Sequence, residues 1–586
     1  MAAPQSTPLP EAPTRGEAEG QFVPKANAFV GALEPFRQQL QAQADFVNDR
    51  SIEAEENAAL AQEASEMALS SANFAGDWSG LSGAFNVPTS VLHDDTYWQL
   101  LEDVPNIQDA EPGVSEAWAP INVARSVVLA LPDITALRAL GNTTVGQRIS
   151  TAGTNDANDG GACDYIIEER DGTRDWFMNV HLNDGVHQAR LVRGVALENL
   201  TVLIPTDYPN KQAAIDDTYT KILMWPGAII DLMMEGGYEI SAELRVSSGD
   251  YSHYRVSSVD AVVPTAAGYA DEYLMRSEYA AAPVWNVMVD CGGAASRGLW
   301  YSSSTGMILP GNGLSNNLER ALYLNNSTVY ADGMVLEDVG VGGLTFSRAV
   351  WLTRESRLVA ENAQISTPTT DSAVYISRDS RMHAAQISID APSCTALVLC
   401  QRNSKYNGQD GAYSGSTGSA FFSRLGGGIV INGSTVSEIA GDGLVSRGAG
   451  SYINADGATL SPASGGGGAA ISSRLNANIS GEGIVVEPGF NIGAMSTRMG
   501  RNDLNLCTIT GCTSHGTEAT FGGANLVTGG EVSGSGGNDI RITGGSTAWA
   551  HGTTTTNGTG SPFTSDTNLS EFSFNEVAGN RGIIWA

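Results

Sequence analysis

The chain has 586 residues and a mass of 61.2 kDa, with 64 Asp and Glu against 32 Lys and Arg and a formal net charge of −32. That length exceeds one compact core, so several domains or one elongated domain are expected, and the acidity excludes a basic face for free nucleic acid or for an anionic membrane surface. With 68 Gly and only 16% charged residues, the composition suits β-architecture with many tight turns.

Residues 1–25, rich in Pro, Ala and Glu, are expected to be disordered or ordered only by a partner. Residues 26–75 change character. Phe29, Leu33, Phe36, Leu40 and Val47, then Leu60, Ala64, Met67, Ser71 and Phe74, form a helical stripe that drifts between heptad frames. An acidic helix with so narrow a stripe is marginal alone, so association between chains is expected; one helix folded on its own chain is the alternative. Residues 76–121 hold Trp78, Tyr97, Trp98 and Trp118 between turn-rich stretches and predict a small β-module whose core is built from large aromatics. One exposed ring stacking on sugar is the sharper alternative. Residues 122–227 are mixed, with short helices predicted at Ile134–Leu140 and Lys211–Thr220, extended segments at 146–152 and 165–167, and a turn at Asp159-Gly160-Gly161.

From residue 228 to 500 the sequence repeats. Ala321-Leu-Tyr-Leu324, Ala349-Val-Trp-Leu352, Ala373-Val-Tyr-Ile376 and Ala396-Leu-Val-Leu399 recur at steps of 28, 24 and 23, each followed by a Ser (Ser327, Ser356, Ser380, Ser404). A second pattern, Ser-x-apolar-x-Ala, begins at Ser327, Ser356 and Ser380 and returns at Ser451 and Ser473, and Ile540-Arg-Ile542 with Ser546 is a late copy. Short alternating strands at a fixed step cannot bury their apolar side alone but make a continuous core when stacked. The fold class is mainly β, a parallel β-helix, with 501–586 as terminal coils or a β-rich tip. A β-sandwich does not predict matching motifs at a fixed step.

Trp78-Ser-Gly-Leu-Ser-Gly-Ala84, Asn86-Val-Pro88, Tyr97-Trp-Gln-Leu-Leu101 and Glu111-Pro-Gly-Val114 with Trp118 resemble a small module, similar to carbohydrate-binding modules, near the N-terminus of tail fibres and tailspikes of tailed bacteriophages. Val145-Gly146 through Gly161 resembles the segment that introduces their β-helix, although Ala162-Cys163 follows where the family usually continues with more Gly. Gly249-Asp-Tyr-Ser-His253 and Ser258-Val-Asp-Ala261 resemble the opening coils. The resemblance implies a homotrimeric virion component with a pectate-lyase-like right-handed β-helix. Its N-terminal end would attach to tail or baseplate proteins and its β-helix would meet a host surface glycan during adsorption.

In each Ala-apolar-x-apolar copy the two flanking apolar residues share one side and the residue between them points the other way. Tyr323, Trp351 and Tyr375 are therefore expected to project outward on three consecutive coils, about 4.8 Å apart, as a platform for sugar rings or as a face buried against another subunit. Arg354-Glu355 and Arg378-Asp379 sit beside this ladder in equivalent positions. Carboxylates one coil apart match the separation of about 5–5.5 Å in a retaining glycosidase, although neighbouring Arg favours the ionised form of both and disfavours the acid role. Glu355, Asp379 and Asp410 are the candidate catalytic residues of a depolymerase reading; solvated surface charge is the plainer alternative. The segment 404–418 breaks the coil rhythm and reads as an inserted binding loop carrying Tyr406, Asp410 and Tyr413. His383 is read as structural.

No Lys follows a Gly and no Glu follows a His, which excludes a P-loop and a His-Glu-x-x-His zinc site; no cofactor or metal is expected. The six Cys are read as small buried hydrophobes, since neither Cys394/Cys400 nor Cys507/Cys512 has a second pair at zinc spacing. The first residues lack a basic start and an apolar core, so no signal peptide is read, and no membrane-spanning segment is present. The functional expectation is a polysaccharide-binding tail fibre or tailspike made in the host cytoplasm. A polysaccharide hydrolase or lyase on the same scaffold and a purely structural tail component are the alternatives.

Overall fold

The computed structural model describes residues 74–121 apart from 88 and 95, and 129–556 apart from 142, 158, 270, 293–296, 318, 341–346, 369–370, 543–545 and 551. Towards the ends it describes residues 25, 28–29, 32 and 36–37, and the backbone of 573–577 and 580–585. Phe29 and Phe36 are helical; the rest of the stripe predicted for 26–75, and residues 1–24, lie outside the described residues apart from these few. The chain divides into two compact units, one of residues 1–130, 141–150 and 166–169, the other of 131–140, 151–165 and 170–586.

The first unit contains the aromatic module. Strands Phe74–Asp77, Ser90–His93, Thr96–Leu100 and Trp118–Ile121 form one sheet in that order, the first pair parallel and the others antiparallel. Val91, Leu100, Ile107 and Trp118 are buried, with Trp78 and Trp98 packed against them. A module this small has few residues with which to fill a core, so it uses indoles. Their polar edges are satisfied internally where Trp78 Nε1 donates to Ile107 O (3.1 Å) and Trp118 Nε1 to Ala110 O (2.7 Å). All three Trp thus serve the core, the plainer of the two readings.

The second unit is a parallel β-solenoid of about 17 turns. One capped helix precedes it and a second lies between its first two stacked strands, Leu200–Ile204 and Ile230–Met234. Asp133 accepts from Ala136 N–H to start Ile134–Arg138, and Asn210 accepts from Ala213 N–H to start Lys211–Lys221. The predicted turn at Asp159 is closed by its carboxylate, which accepts backbone N–H groups of Thr154, Asn155, Asp156 and Gly161. Burial opposes ionisation there, but those four donors outweigh it and hold the carboxyl down at about 2.

Each full coil contributes three short strands to three ladders. The first sheet stacks 13 strands from Leu244–Ser247 to Ile540–Ile542. The second ladder includes Thr328–Tyr330, Arg357–Val359, Arg381–His383 and Lys405–Asn407, and the third Val335–Glu337, Gln364–Ser366, Ser388–Asp390 and Ala412–Ser416. Past residue 500 the same ladders continue through Ala524–Thr528, Thr547–Trp549 and Thr554–Thr556. Among the described residues no helix is long and apolar enough to cross a membrane.

The repeats have a direct physical origin. Leu322, Val350, Val374 and Val398 stack inside the coil, as do Leu324, Leu352, Ile376 and Cys400, while Tyr323, Trp351 and Tyr375 align on the outer face. The fourth copy is corrected by one residue: Leu397, not Ala396, stands level with Ala373, which puts Val398 in the core and Leu399 outward. A slip of one residue would turn that strand inside out. The copy at Ser473 is also corrected, since Ser473 lies within strand Gly467–Arg474 of the first sheet and Leu475 sits in the turn that follows.

The Ser after each first-sheet strand locks one coil to the next. Backbone N–H groups of Ser304, Ser327, Ser356 and Ser380 donate to the Oγ of Ser327, Ser356, Ser380 and Ser404 at 3.1–3.3 Å. The hydroxyls of Ser327, Ser356 and Ser380 donate onward to the carbonyls of Asn325, Thr353 and Ser377. All six Cys are free and buried, and burial pushes the thiols of Cys400 and Cys512 up to about 12, so they remain protonated packing groups.

Candidate binding site at a solenoid corner

The outward aromatic ladder is present and longer than its repeats indicate. Trp300, Tyr323, Trp351 and Tyr375 stand level on consecutive coils with ring centroids 5.5, 5.2 and 5.7 Å apart, and the buried Tyr273, three residues before the ladder position on the preceding strand, packs on Trp300 at 4.4 Å. Trp300 was missed because Gly298 stands where later copies have Ala; a Cβ there would come within 2.4 Å of Ala321 O. The rings do not lie flat as a platform. The contacts from Trp300 to Tyr375 are edge-on, at 81–89°, and guanidinium groups cover the faces. Arg320 and Arg348 lie 4.3 and 4.5 Å from the Trp351 centroid, and Arg348 lies 3.8 Å from that of Tyr375. Tyr375 Oη also accepts from Gln401 Nε2. Glu319 and Asp371 pair with Arg320 and Arg348. A sugar could stack on Trp351 only by displacing these cations, so the expectation of an open stacking platform at Tyr323, Trp351 and Tyr375 is revised to a half-buried lattice of rings and arginines.

The inserted loop is corrected outright. Residues 404–418 form an ordinary coil. Tyr406 stands level with Met382 and Ile429, and Tyr413 with Ile389 and Val436, so both rings point into the core at 1% and 2% exposure. Their hydroxyls satisfy each other at 3.0 Å, and Tyr413 Oη donates to Gly408 O. Neither ring can meet a glycan from there. Asp410 occupies the next corner of the coil, at φ 54°, away from the other two carboxylates.

Glu355 and Asp379 do come together. Where the chain leaves the first sheet, the coils at Ser302 and Asn325 turn with one residue in the left-handed region, Ser303 (φ 50°) and Asn326 (φ 52°). From Thr353 onward the turn gains a residue and uses two: Arg354 and Glu355 (55° and 63°), Arg378 and Asp379 (56° and 62°), Arg402 and Asn403 (55° and 60°). The longer turns stand beside the shorter ones at a concavity of about 440 Å3, a size typical of small-ligand sites. Arg354, Glu355, Arg378 and Asp379 form one wall; Ser302, Ser303, Asn325, Asn326 and Tyr279, 73% exposed, form the other. Coil-to-coil bonds hold the turns in step, Glu355 N–H to Arg378 O at 2.9 Å and Asp379 N–H to Arg402 O at 3.0 Å.

The groups available there are unspent. Among the described residues, the side chains of Arg354, Glu355, Arg378 and Asp379 make no ion pair or hydrogen bond, while Asn325 donates through Nδ2 to Ser302 Oγ and its Oδ1 is buried without a donor. On the first sheet itself Arg276, Arg297, Arg320 and Arg348 are paired with acids. Sequence reasoning found the two carboxylates and their arginines but missed Tyr279, Asn326 and the wall they make. The signal available was the change from a two-residue to a three-residue turn between Asn325 and Thr353. Among the described residues no cluster of His, Cys, Asp and Glu could hold a metal ion.

No protein-family model matches the chain, and no curated protein matches it. Three solved structures with which it aligns are tailspike protein 2 of Escherichia coli O157:H7 bacteriophage CAB120, tailspike protein gp49 of Acinetobacter baumannii bacteriophage Fri1, a capsular polysaccharide depolymerase, and the A-module of a mannuronan C-5 epimerase from Azotobacter vinelandii. Identities are 10%, 9% and 12%, TM-scores 0.27, 0.21 and 0.22, and the alignments cover 82%, 77% and 63% of this chain. They cover 62%, 80% and 95% of the other chains, so this chain spans under two thirds of the first tailspike's length.

Proposed function

We propose that this chain is a tailspike-type receptor-binding protein of a bacteriophage, and that its solenoid corner binds host surface polysaccharide during adsorption. In this reading it is a homotrimer in the virion tail, attached to tail or baseplate proteins through its N-terminal segment and meeting the host with the β-solenoid. The observation that carries the proposal is the concavity between Tyr279 and Arg378, where an exposed ring, serine and asparagine side chains and unpaired charges line one recess on a stiff scaffold. That combination suits a polyhydroxylated ligand, which needs a ring face to stack on and several polar groups to count its hydroxyls.

A second reading, cleavage, is favoured by one feature. Glu355 and Asp379 line the same recess on adjacent coils, about one strand spacing or ~4.8 Å apart in backbone, near the separation of a retaining carboxylate pair. Incubating the purified chain with polysaccharide from the host strain, followed by size-exclusion of the glycan, tests both. Co-migration of intact glycan is the expected result. A fall in glycan size, lost in Glu355→Gln and Asp379→Asn, would make the protein a depolymerase. Neither co-migration nor shortening would sink both readings and leave a structural tail component.

A further inference from the structure

We infer that the ligand of this corner is an anionic glycan, one carrying carboxylate, phosphate or sulfate groups along its length. This rests on the reading of the concavity as a glycan site and names the class of glycan. The observation is a threefold repeat of charge that the coil stacking brings into line: Arg354-Glu355-Ser356-Arg357, Arg378-Asp379-Ser380-Arg381 and Arg402-Asn403-Ser404-Lys405. Arg357, Arg381 and Lys405 are level with one another at the start of the second ladder, and Arg354, Arg378 and Arg402 occupy the same left-handed turn position on those coils.

All six cations are exposed, and none makes an ion pair or side-chain hydrogen bond among the described residues. Two carboxylates, Glu355 and Asp379, stand among them. In a chain with two acids for every base, the half-buried Arg297, Arg320 and Arg348 each have an acid partner, whereas exposed arginines elsewhere, such as Arg148, Arg193 and Arg498, stand unpaired one at a time among the described residues; what sets this corner apart is that six cations share it. Six unpaired cations at one corner therefore form a local positive field inside a strongly negative envelope, which draws an anion to one place and repels it from most others.

The geometry selects a chain over a small anion. Three coils span about 10 Å at ~4.8 Å per step, and one residue before the turn, level with Gln401 at the end of the first-sheet strands, Arg424, Arg447 and Arg474 follow on the next coils. Of these Arg447 is exposed and unpaired among the described residues, while Arg424 reaches Gln401 and Arg474 reaches Asp442. A polymer with repeated negative groups can engage such a row at several points, with the concavity taking one sugar at its end. A second copy of this acidic chain could also meet the row, but the recess and its exposed Tyr279 are features of a ligand site rather than of a flat contact.

Retention on heparin–agarose, with dextran–agarose as the neutral control, tests the inference directly. Wild-type protein is expected to be held by heparin at low salt, despite its net charge, to pass through dextran, and to elute as NaCl rises. Arg378→Gln/Arg381→Gln/Arg402→Gln should flow through heparin while keeping the wild-type circular dichroism and melting temperature. Wild-type flow-through at low salt, or undiminished retention of the folded variant, overturns the inference. Should the variant keep co-migrating with host polysaccharide as wild type does, the glycan site stands and its anionic character falls. A change in sedimentation coefficient of the variant with heparin retention unchanged would reassign the row to contact between copies.

Discussion

The same corner of the solenoid is built twice, in two different chemistries. On the coils between Thr353 and Lys405 its left-handed positions carry Arg354, Glu355, Arg378, Asp379, Arg402 and Asn403; on the later coils they carry Leu425, Gly426, Gly448, Leu475, Asn476, Arg498, Met499, Phe521 and Gly522. Met499 and Phe521 are 65% and 69% exposed, so the later stretch displays apolar side chains where the earlier one displays charge. Gly and Asn adopt a left-handed turn most easily, so Asn403, Asn476 and the later glycines suit it, whereas the Arg, Glu, Asp, Leu, Met and Phe at the other positions carry a cost of about 1–2 kcal/mol each. The backbone of the corner is imposed by coil stacking, through the serine column and the strands on either side. Its side chains are therefore free to be chosen for what they meet outside.

The comparison would break if the interior beneath the two stretches were not equivalent, and the largest expected effect lies there. Tyr406→Ala should empty a core site and cost about 3–5 kcal/mol, seen as a lower denaturant midpoint, whereas a tyrosine in an exposed loop would cost little. Next is the serine column. Ser380→Ala removes the acceptor for Ser356 N–H and should cost about 1–3 kcal/mol. Ser451→Ala should cost a similar amount, because Ser451 Oγ likewise accepts from Gly426 N–H in the later stretch. Equal losses would sharpen the view that one backbone serves both chemistries; a loss confined to Ser380 would break it. Smaller still, Phe521→Asn should change stability by no more than about 0.5 kcal/mol and leave heparin retention as in wild type, unlike substitutions at Arg378.

The smallest effect is a pH dependence confined to the later coils. Burial, then the neighbouring Arg541, hold the His515 imidazole below its usual value. A folded-state pKa below the unfolded one means that the unfolded chain binds the proton more readily. The contribution of His515 is thus fully present above the unfolded pKa, about 6.5, and is lost as pH falls through the lower folded value. Amide protection in strand His515–Thr520, taken relative to the intrinsic exchange rate at each pH, should fall on acidification from pH 7 toward 5, and His515→Asn should flatten that response.

The solenoid was legible in the sequence because its core repeats in kind: apolar residues two apart, a Ser a few residues later, and a step near one coil. The errors arose where residue type and register disagree. Ala396 looks like the Ala of the earlier copies but lies one position early, and Ser473-Arg-Leu-Asn-Ala477 matches a pattern whose backbone is a turn rather than a strand. Tyr406 and Tyr413 mimicked a binding loop because two tyrosines replace aliphatic residues in the core, and their hydroxyls hide from water by bonding each other. The ladder's alignment followed from alternation, but its closure did not, since the arginines that cover it stand three residues earlier on the same strands. The carboxylate pair was visible as a repeat, while the recess beside it depends on a difference in turn length that only the stacked coils convert into shape.

The most direct test of the central claim is a structure of the full chain soaked or co-purified with oligosaccharide released from host polysaccharide. Sugar density is expected in the recess between Tyr279 and Arg378, with an acidic group toward the row of Arg354, Arg378 and Arg402. Ordered sugar elsewhere on the solenoid with this recess empty, or a neighbouring subunit filling the recess, would contradict it.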